Sequence, residues 1–135
     1  MIKKEIREKV YGKYNGHCSY CGKDIAYKEM QVDHLIPQRL LGVEYDFDEI
    51  ECFKNYMPSC RRCNHYKRGN SLETFRTMIS EIPNKLHRDN YIYKVGEDFG
   101  IVKGHYNSKI KFYFERNETE WQIMILWKKA RLKNS

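Results

Sequence analysis

The chain has 135 residues, 41% of them hydrophobic, which suits a single domain over 1–135 with one modest core. Its 25 lysines and arginines outnumber its 18 acids for a formal net charge of +7, and that excess points to a polyanionic partner such as nucleic acid. No run approaches a membrane span and no apolar stretch follows the basic start, so a chain with no membrane partner and a cytoplasmic location are expected.

Residues 3–15 set Ile6, Val10 and Tyr14 four apart among charged residues, the period of an amphipathic helix that Gly16 ends. Cys18-Ser19-Tyr20-Cys21 follows, with Gly22 giving the backbone freedom to fold its amides around thiolate sulfur. Met30 to Ile36 alternate as a strand does, with Gln31, Asp33 and Leu35 on one side and Val32 and His34 on the other. Pro37 biases Ile36 towards an extended conformation and brings a turn close to the Asp33-His34 pair. Residues 38–54 read as an irregular, solvated acidic loop carrying Glu44, Asp46, Asp48, Glu49 and Glu51, with a short helical turn between Asp48 and Phe53. They lack the spacing and the glycine of an EF-hand, which excludes that calcium loop.

Cys60-Arg61-Arg62-Cys63 opens a helix that runs to Arg68, and Gly69-Asn70-Ser71 is its stop and the next N-cap. Leu72, Phe75, Ile79 and Ile82 mark a further apolar helix face, which Pro83 breaks or kinks. Asp89 to Phe99 forms one more helix, ended by Gly100. Residues 109–115 alternate and are rich in aromatics, predicting a strand. Thr119-Glu120-Trp121-Gln122 has the capping-box pattern, opening a C-terminal helix.

The chemistry starts from the two CxxC pairs. Four thiolates at this spacing match a closed tetrahedral zinc site, with no position left for substrate. A redox pair is the alternative, and the lack of a βαβ frame around either CxxC argues against it. Cys52 stands apart and reads as a small buried thiol. Zinc at Cys18, Cys21, Cys60 and Cys63 would pin the start of the second-knuckle helix against the segment leading to the strand. Asn64 is thereby held near Asp33 and His34. A carboxylate and an amide carbonyl are hard oxygen ligands suited to Mg²⁺ or Mn²⁺, and a neutral imidazole beside such an ion can deprotonate water. This is an apparatus for phosphodiester hydrolysis.

Asp33-His34, Asn55 and Cys60-x-x-Cys63-Asn64-x-x-Lys67, framed by Cys18-x-x-Cys21, resemble the zinc-containing branch of the HNH endonucleases, the ββα-metal or His-Me finger class. The resemblance covers roughly residues 16–70; the remainder is more loosely similar to small stand-alone phage or bacterial HNH proteins. It implies an α+β fold: a ββα-metal core stapled by a four-cysteine zinc site, with flanking helices and a C-terminal strand and helix extension. It implies that His34 is the general base, that Asp33 and Asn64 hold the catalytic ion, and that Asn55 braces the loop and orients the histidine backbone. His65 is a rival ligand to Asn64. Lys67 matches a lysine suited to a phosphate contact, and Arg61, Arg62 and Arg68 lie on or beside the helix that would enter a DNA groove. The expected protein is a metal-dependent endonuclease on double-stranded DNA, with structural Zn²⁺ and catalytic Mg²⁺ or Mn²⁺. As a monomer it would nick; as a homodimer it would cut both strands. The rival reading is a non-catalytic zinc module that binds nucleic acid as an assembly or packaging accessory, which has no use for Asp33, His34 and Asn64 together. A nuclease of RNA stays open.

Overall fold

Two short antiparallel strands carry the residues of interest: β1 (Gln31–His34) and β2 (Tyr56–Ser59), in the register Gln31↔Ser59, Val32↔Pro58, Asp33↔Met57 and His34↔Tyr56. Pro58 is tolerated because a two-stranded sheet is all edge, so a missing amide donor breaks no central ladder. The computed structural model describes residues 2–117, which group into two units: residues 2–72 with 112–117, and residues 73–111. The arrangement is α+β. No helix among the described residues is long and apolar enough to cross a membrane.

In the first unit, α1 (Lys4–Gly12) buries Val10, with Tyr14 buried just past its end. Its cations serve as clamps. Arg7 donates to the Tyr27 and Met30 carbonyls at 2.9 and 2.6 Å, and Lys13 donates to the Tyr56 carbonyl at 2.9 Å. The first knuckle turns back on itself through Cys18 N–H to Lys23 O at 2.8 Å and Gly22 N–H to Cys18 O at 3.0 Å. Gly22 has φ of +83°, the left-handed region that glycine enters without a Cβ clash, and a Cβ there would also lie 2.7 Å from the Tyr113 ring. Ser19 N–H then donates to Pro58 O at 2.8 Å, stitching the knuckle to β2.

The acidic stretch is more ordered than a solvated loop. Asp46 and Glu49 form a reciprocal capping box that starts α2 (Phe47–Ile50), and Ile50 is fully buried. α3 (Arg61–Lys67) begins at Cys60, whose sulfur accepts from Cys63 N–H at 3.4 Å. It ends at Arg68, which adopts φ of +53°, one residue before the glycine expected to stop it.

The strand expected over 109–115 is absent. Phe112 and Phe114 are both buried, as alternation predicts, but around the start of α7 (Tyr113–Asn117). Tyr113 and Phe114 N–H donate to the Tyr20 and Ser19 carbonyls at 3.0 and 2.8 Å, and Glu115 accepts from Phe112 N–H at 2.9 Å as a helix cap. The Tyr20 ring meets Phe112 edge-on at 5.5 Å. Two aromatics two apart anchor equally well on a knuckle when its carbonyls and a helix cap, rather than a neighbouring strand, take the amides. The helix expected from Thr119 lies outside the described residues.

In the second unit, the helix read from Leu72 to Ile82 is divided. α4 (Leu72–Ser80) ends, and α5 (Ile82–Asp89) starts with Pro83 in its first turn, where a missing N–H costs nothing. Asn90 then caps α6 (Tyr91–Asp98) by accepting from Tyr93 N–H at 3.0 Å. Arg76 on α4 donates to the Ile110 carbonyl at 2.7 Å and closes the unit.

Candidate functional site

The four cysteines of the two CxxC pairs converge. Their sulfurs lie within 4.8 Å of one another, and Cys21 and Cys60 are 3.9 Å apart. A tetrahedron with zinc–sulfur bonds of about 2.3 Å has edges of about 3.8 Å, so the donor set fits zinc. The charge distribution already favours a metal. A hydrogen bond from Cys63, helped by backbone amides and opposed by burial, draws the Cys18 thiol down to about 4, while Cys63 is driven upward by the same bond. Metal binding needs thiolates, and the hydrogen bonds within this cluster favour the thiolate of Cys18. Cys52 lies outside it, half-buried, with its thiol on the Glu49 carbonyl at 3.5 Å.

From this staple α3 runs along β1 and joins it by two rungs. The Asn64 amide donates to the Gln31 side chain, and one turn on the Lys67 ammonium lies 3.0 Å from Asp33 Oδ2. Gln31 and Asp33 share a strand side, and Asn64 and Lys67 share a helix side, so sequence periods on both elements produce the pairing. Asp33 Oδ2 also accepts from the Tyr20 hydroxyl at 2.6 Å. Burial, then the Asp33 charge, pushes that phenol well above its ordinary range, so it stays a donor.

His34 sits on the other side of β1, its side chain 14% exposed. Its ring packs edge-on against Tyr56, its partner in the sheet register, at 5.4 Å. Asn55 is buried and fully committed. It accepts from Ile36 N–H at 2.7 Å and donates to the Ile36 and Ile50 carbonyls at 3.0 and 2.9 Å. Asn55 therefore holds the chain just past His34. This constellation on a ββα frame, beside a four-cysteine cluster, has a counterpart among known families.

Residues 18–80 match the HNH endonuclease family. The match starts at the first cysteine and takes in both CxxC pairs, β1, β2 and α3, so the HNH-like segment is of the CxxC…CxxC type, and the match supports a nuclease-type function. No curated protein and no solved structure matches the chain.

Within the matched segment three residues sit differently from their expected surroundings. Lys67, expected to touch phosphate, has no exposed surface; its ammonium is spent on Asp33 and, at 3.1 Å, on the His34 carbonyl. The reason is its place four residues after Cys63, on the helix side that faces β1. His65, the rival ligand, is exposed with Arg61 on the outer side of α3, at i and i+4, and Arg62 and, just past the end of the helix, Arg68 are exposed as well. Glu51, expected in a solvated loop, enters the site. Its Oε1 lies 3.0 Å from His34 Nε2 and accepts from Gln38 at 2.8 Å, and its Oε2 accepts from the Tyr56 hydroxyl at 2.8 Å. The one sequence signal for it is the Asp46-x-x-Glu49 capping pair, which folds the acidic stretch into α2 and delivers Glu51 at its end.

Proposed function

We propose that the protein is a metal-dependent endonuclease that hydrolyses phosphodiester bonds of double-stranded DNA, with His34 as general base and Asp33 and Asn64 as ligands of a divalent ion. The observation that carries this reading is the largely sheltered imidazole at the end of β1, adjacent in sequence to a buried carboxylate that α3 holds in place. Lys67 and Tyr20 take Asp33 Oδ2 and leave Oδ1; Gln31 takes an Asn64 amide hydrogen and leaves the carbonyl oxygen. One carboxylate and one amide oxygen suit a Mg²⁺ or Mn²⁺ that keeps several waters. When bound, such an ion neutralises charge on the phosphate and the leaving oxygen. His34 takes a proton from the attacking water, a contribution of about 10²–10⁴-fold. Arg61, Arg62 and Arg68 supply phosphate contacts from the exposed side of α3 and just past its end. One such site cuts one strand, so a monomer nicks.

The test is supercoiled plasmid with and without Mg²⁺ or Mn²⁺, beside His34→Ala, Asn64→Ala and His65→Ala. Relaxed circles should accumulate only with the ion. His34→Ala should abolish cleavage with DNA affinity retained, because the base acts on the water and not on ground-state binding. Asn64→Ala should fall and partly recover at high Mn²⁺, and His65→Ala should cut. If His34→Ala cuts like the parent, the reading fails and a non-catalytic nucleic-acid-binding module takes its place.

A further inference from the structure

We infer that Glu51 is a positioning residue for His34: it accepts the imidazole Nε2–H and so fixes the tautomer whose Nδ1 carries the lone pair. This rests on His34 as the base. The geometry comes from three directions. Oε1 of Glu51 is 3.0 Å from His34 Nε2, while His34 Nδ1 has no partner among the described residues. Gln38 and Tyr56 each donate to the same carboxylate at 2.8 Å, so both of its oxygens are fixed. Tyr56 also packs edge-on against the imidazole, so one residue orients both the base and its acceptor.

A single amide sets the backbone of both segments. The two hydrogens of Asn55 Nδ2 go to Ile36 O, two residues past His34, and to Ile50 O, one residue before Glu51. Burial alone would raise the Glu51 carboxyl, but the bonds from Gln38, Tyr56 and His34 outweigh it and hold the group below its ordinary 4.5. A carboxylate accepts only, so the nitrogen facing it must donate. In a neutral ring the other nitrogen is then the acceptor. During hydrolysis the water proton goes to Nδ1, the oxygen–phosphorus bond forms and the bond to the leaving oxygen breaks. The resulting imidazolium keeps its Nε2–H on Glu51, whose negative charge stabilises it.

Glu51→Gln and Glu51→Ala in the full chain test this, read by plasmid cleavage, by DNA affinity and by the ¹⁵N resonances of His34 at alkaline pH. Glutamine keeps an acceptor carbonyl for His34 and Gln38 and offers its amide to the Tyr56 oxygen. Glu51→Gln should therefore keep the Nε2–H tautomer. Glu51→Ala should show mixed tautomers, cleave about 10²-fold more slowly and bind DNA as the parent does. Glu51→Gln should recover a substantial part of that loss. Parental cleavage or an unchanged tautomer in Glu51→Ala overturns the proposal. So does a Glu51→Gln protein that keeps the tautomer yet is as slow as Glu51→Ala, because fixing the tautomer then accounts for none of the contribution of Glu51. Should Glu51→Ala not fold, the glutamine variant decides alone: loss of the Nε2–H tautomer, or of all activity with the tautomer kept, overturns it, and retention of both supports it. A His34→Ala protein that cuts like the parent removes the underlying reading instead, which keeps the two failures apart.

Discussion

Lys67 sets its ammonium 3.0 Å from the Asp33 carboxylate with none of its own side chain exposed and 9% of its partner's. A lysine so placed is a strut. It joins the helix that starts at the four-cysteine cluster to the strand that bears His34, and it also donates to the His34 carbonyl. Lys67→Ala leaves a buried carboxylate without its counter-charge, which typically costs about 3–5 kcal/mol. Thermal or urea unfolding should show that loss, whereas a surface lysine would shift stability by no more than about 0.5 kcal/mol. A Lys67→Ala protein of parental stability but weaker DNA binding would return this residue to the role of phosphate contact.

The contrast between Lys67 and the cysteines shows what was legible in the chain. Paired CxxC spacing is a constraint on its own, because four sulfurs that share one metal must meet wherever the chain between them goes. The period of β1 was equally readable, since Asp33 and Leu35 are buried and His34 is not. Lys67 was not readable in the same way. Between arginines on a short helix it looks solvated, and its burial follows only once the metal end fixes which side of α3 meets β1. Glu51 was hidden for a similar reason: its partner lies 17 residues away, across a loop whose path depends on a capping box and on Asn55. At 109–115 the alternation predicted a strand, but a period of two over one pair of buried side chains, Phe112 and Phe114, does not distinguish a strand from a capped helix start.

The cluster of Cys18, Cys21, Cys60 and Cys63 should hold one zinc ion per chain. Structural zinc in small modules carries about 10–16 kcal/mol of apparent binding energy, most of it expressed as folding. Metal analysis after a wash with a mild chelator should return one equivalent. Stripping with a strong chelator, or Cys60→Ser, should unfold the segment that carries β1, β2 and α3. A folded sample free of zinc, or a disulfide within either pair, would sink the assignment.

The outer side of α3 should carry the electrostatic part of DNA binding. Arg61 and Arg62 on the helix and Arg68 just past its end are exposed, and three phosphate contacts correspond to a slope of about −2.7 in log K against log salt. Replacing any one by alanine should weaken binding evenly across sequences and make the slope shallower by about 1. The measurement is a salt titration of affinity for a short duplex, with the ion omitted to prevent cleavage. Parental slopes in all three variants would place the phosphate contacts on another surface.

Glu51 and Tyr56 share one hydrogen bond, and they should mark opposite ends of the pH range of stability. Glu51 is held below 4.5 in the fold: burial works against this, and the bonds from Gln38, Tyr56 and His34 prevail. A depressed carboxyl stabilises the fold above its unfolded value, and that contribution is lost as pH falls from about 4.5 through the lower folded value. Tyr56 is pushed up to about 12, first by burial and then by the Glu51 carboxylate. A phenol raised above 10 stabilises the fold below its unfolded value, and that contribution is lost as pH rises from about 10 to about 12. Glu51→Gln removes the first effect entirely and the charge-dependent part of the second. Its thermal midpoint should fall less steeply than the parent's on acidification below about pH 4.5, and its loss of stability in alkali should be smaller over the same rise towards pH 12. Midpoints followed across both limbs check this, and parallel curves for the two proteins would mean that neither group is held by the other.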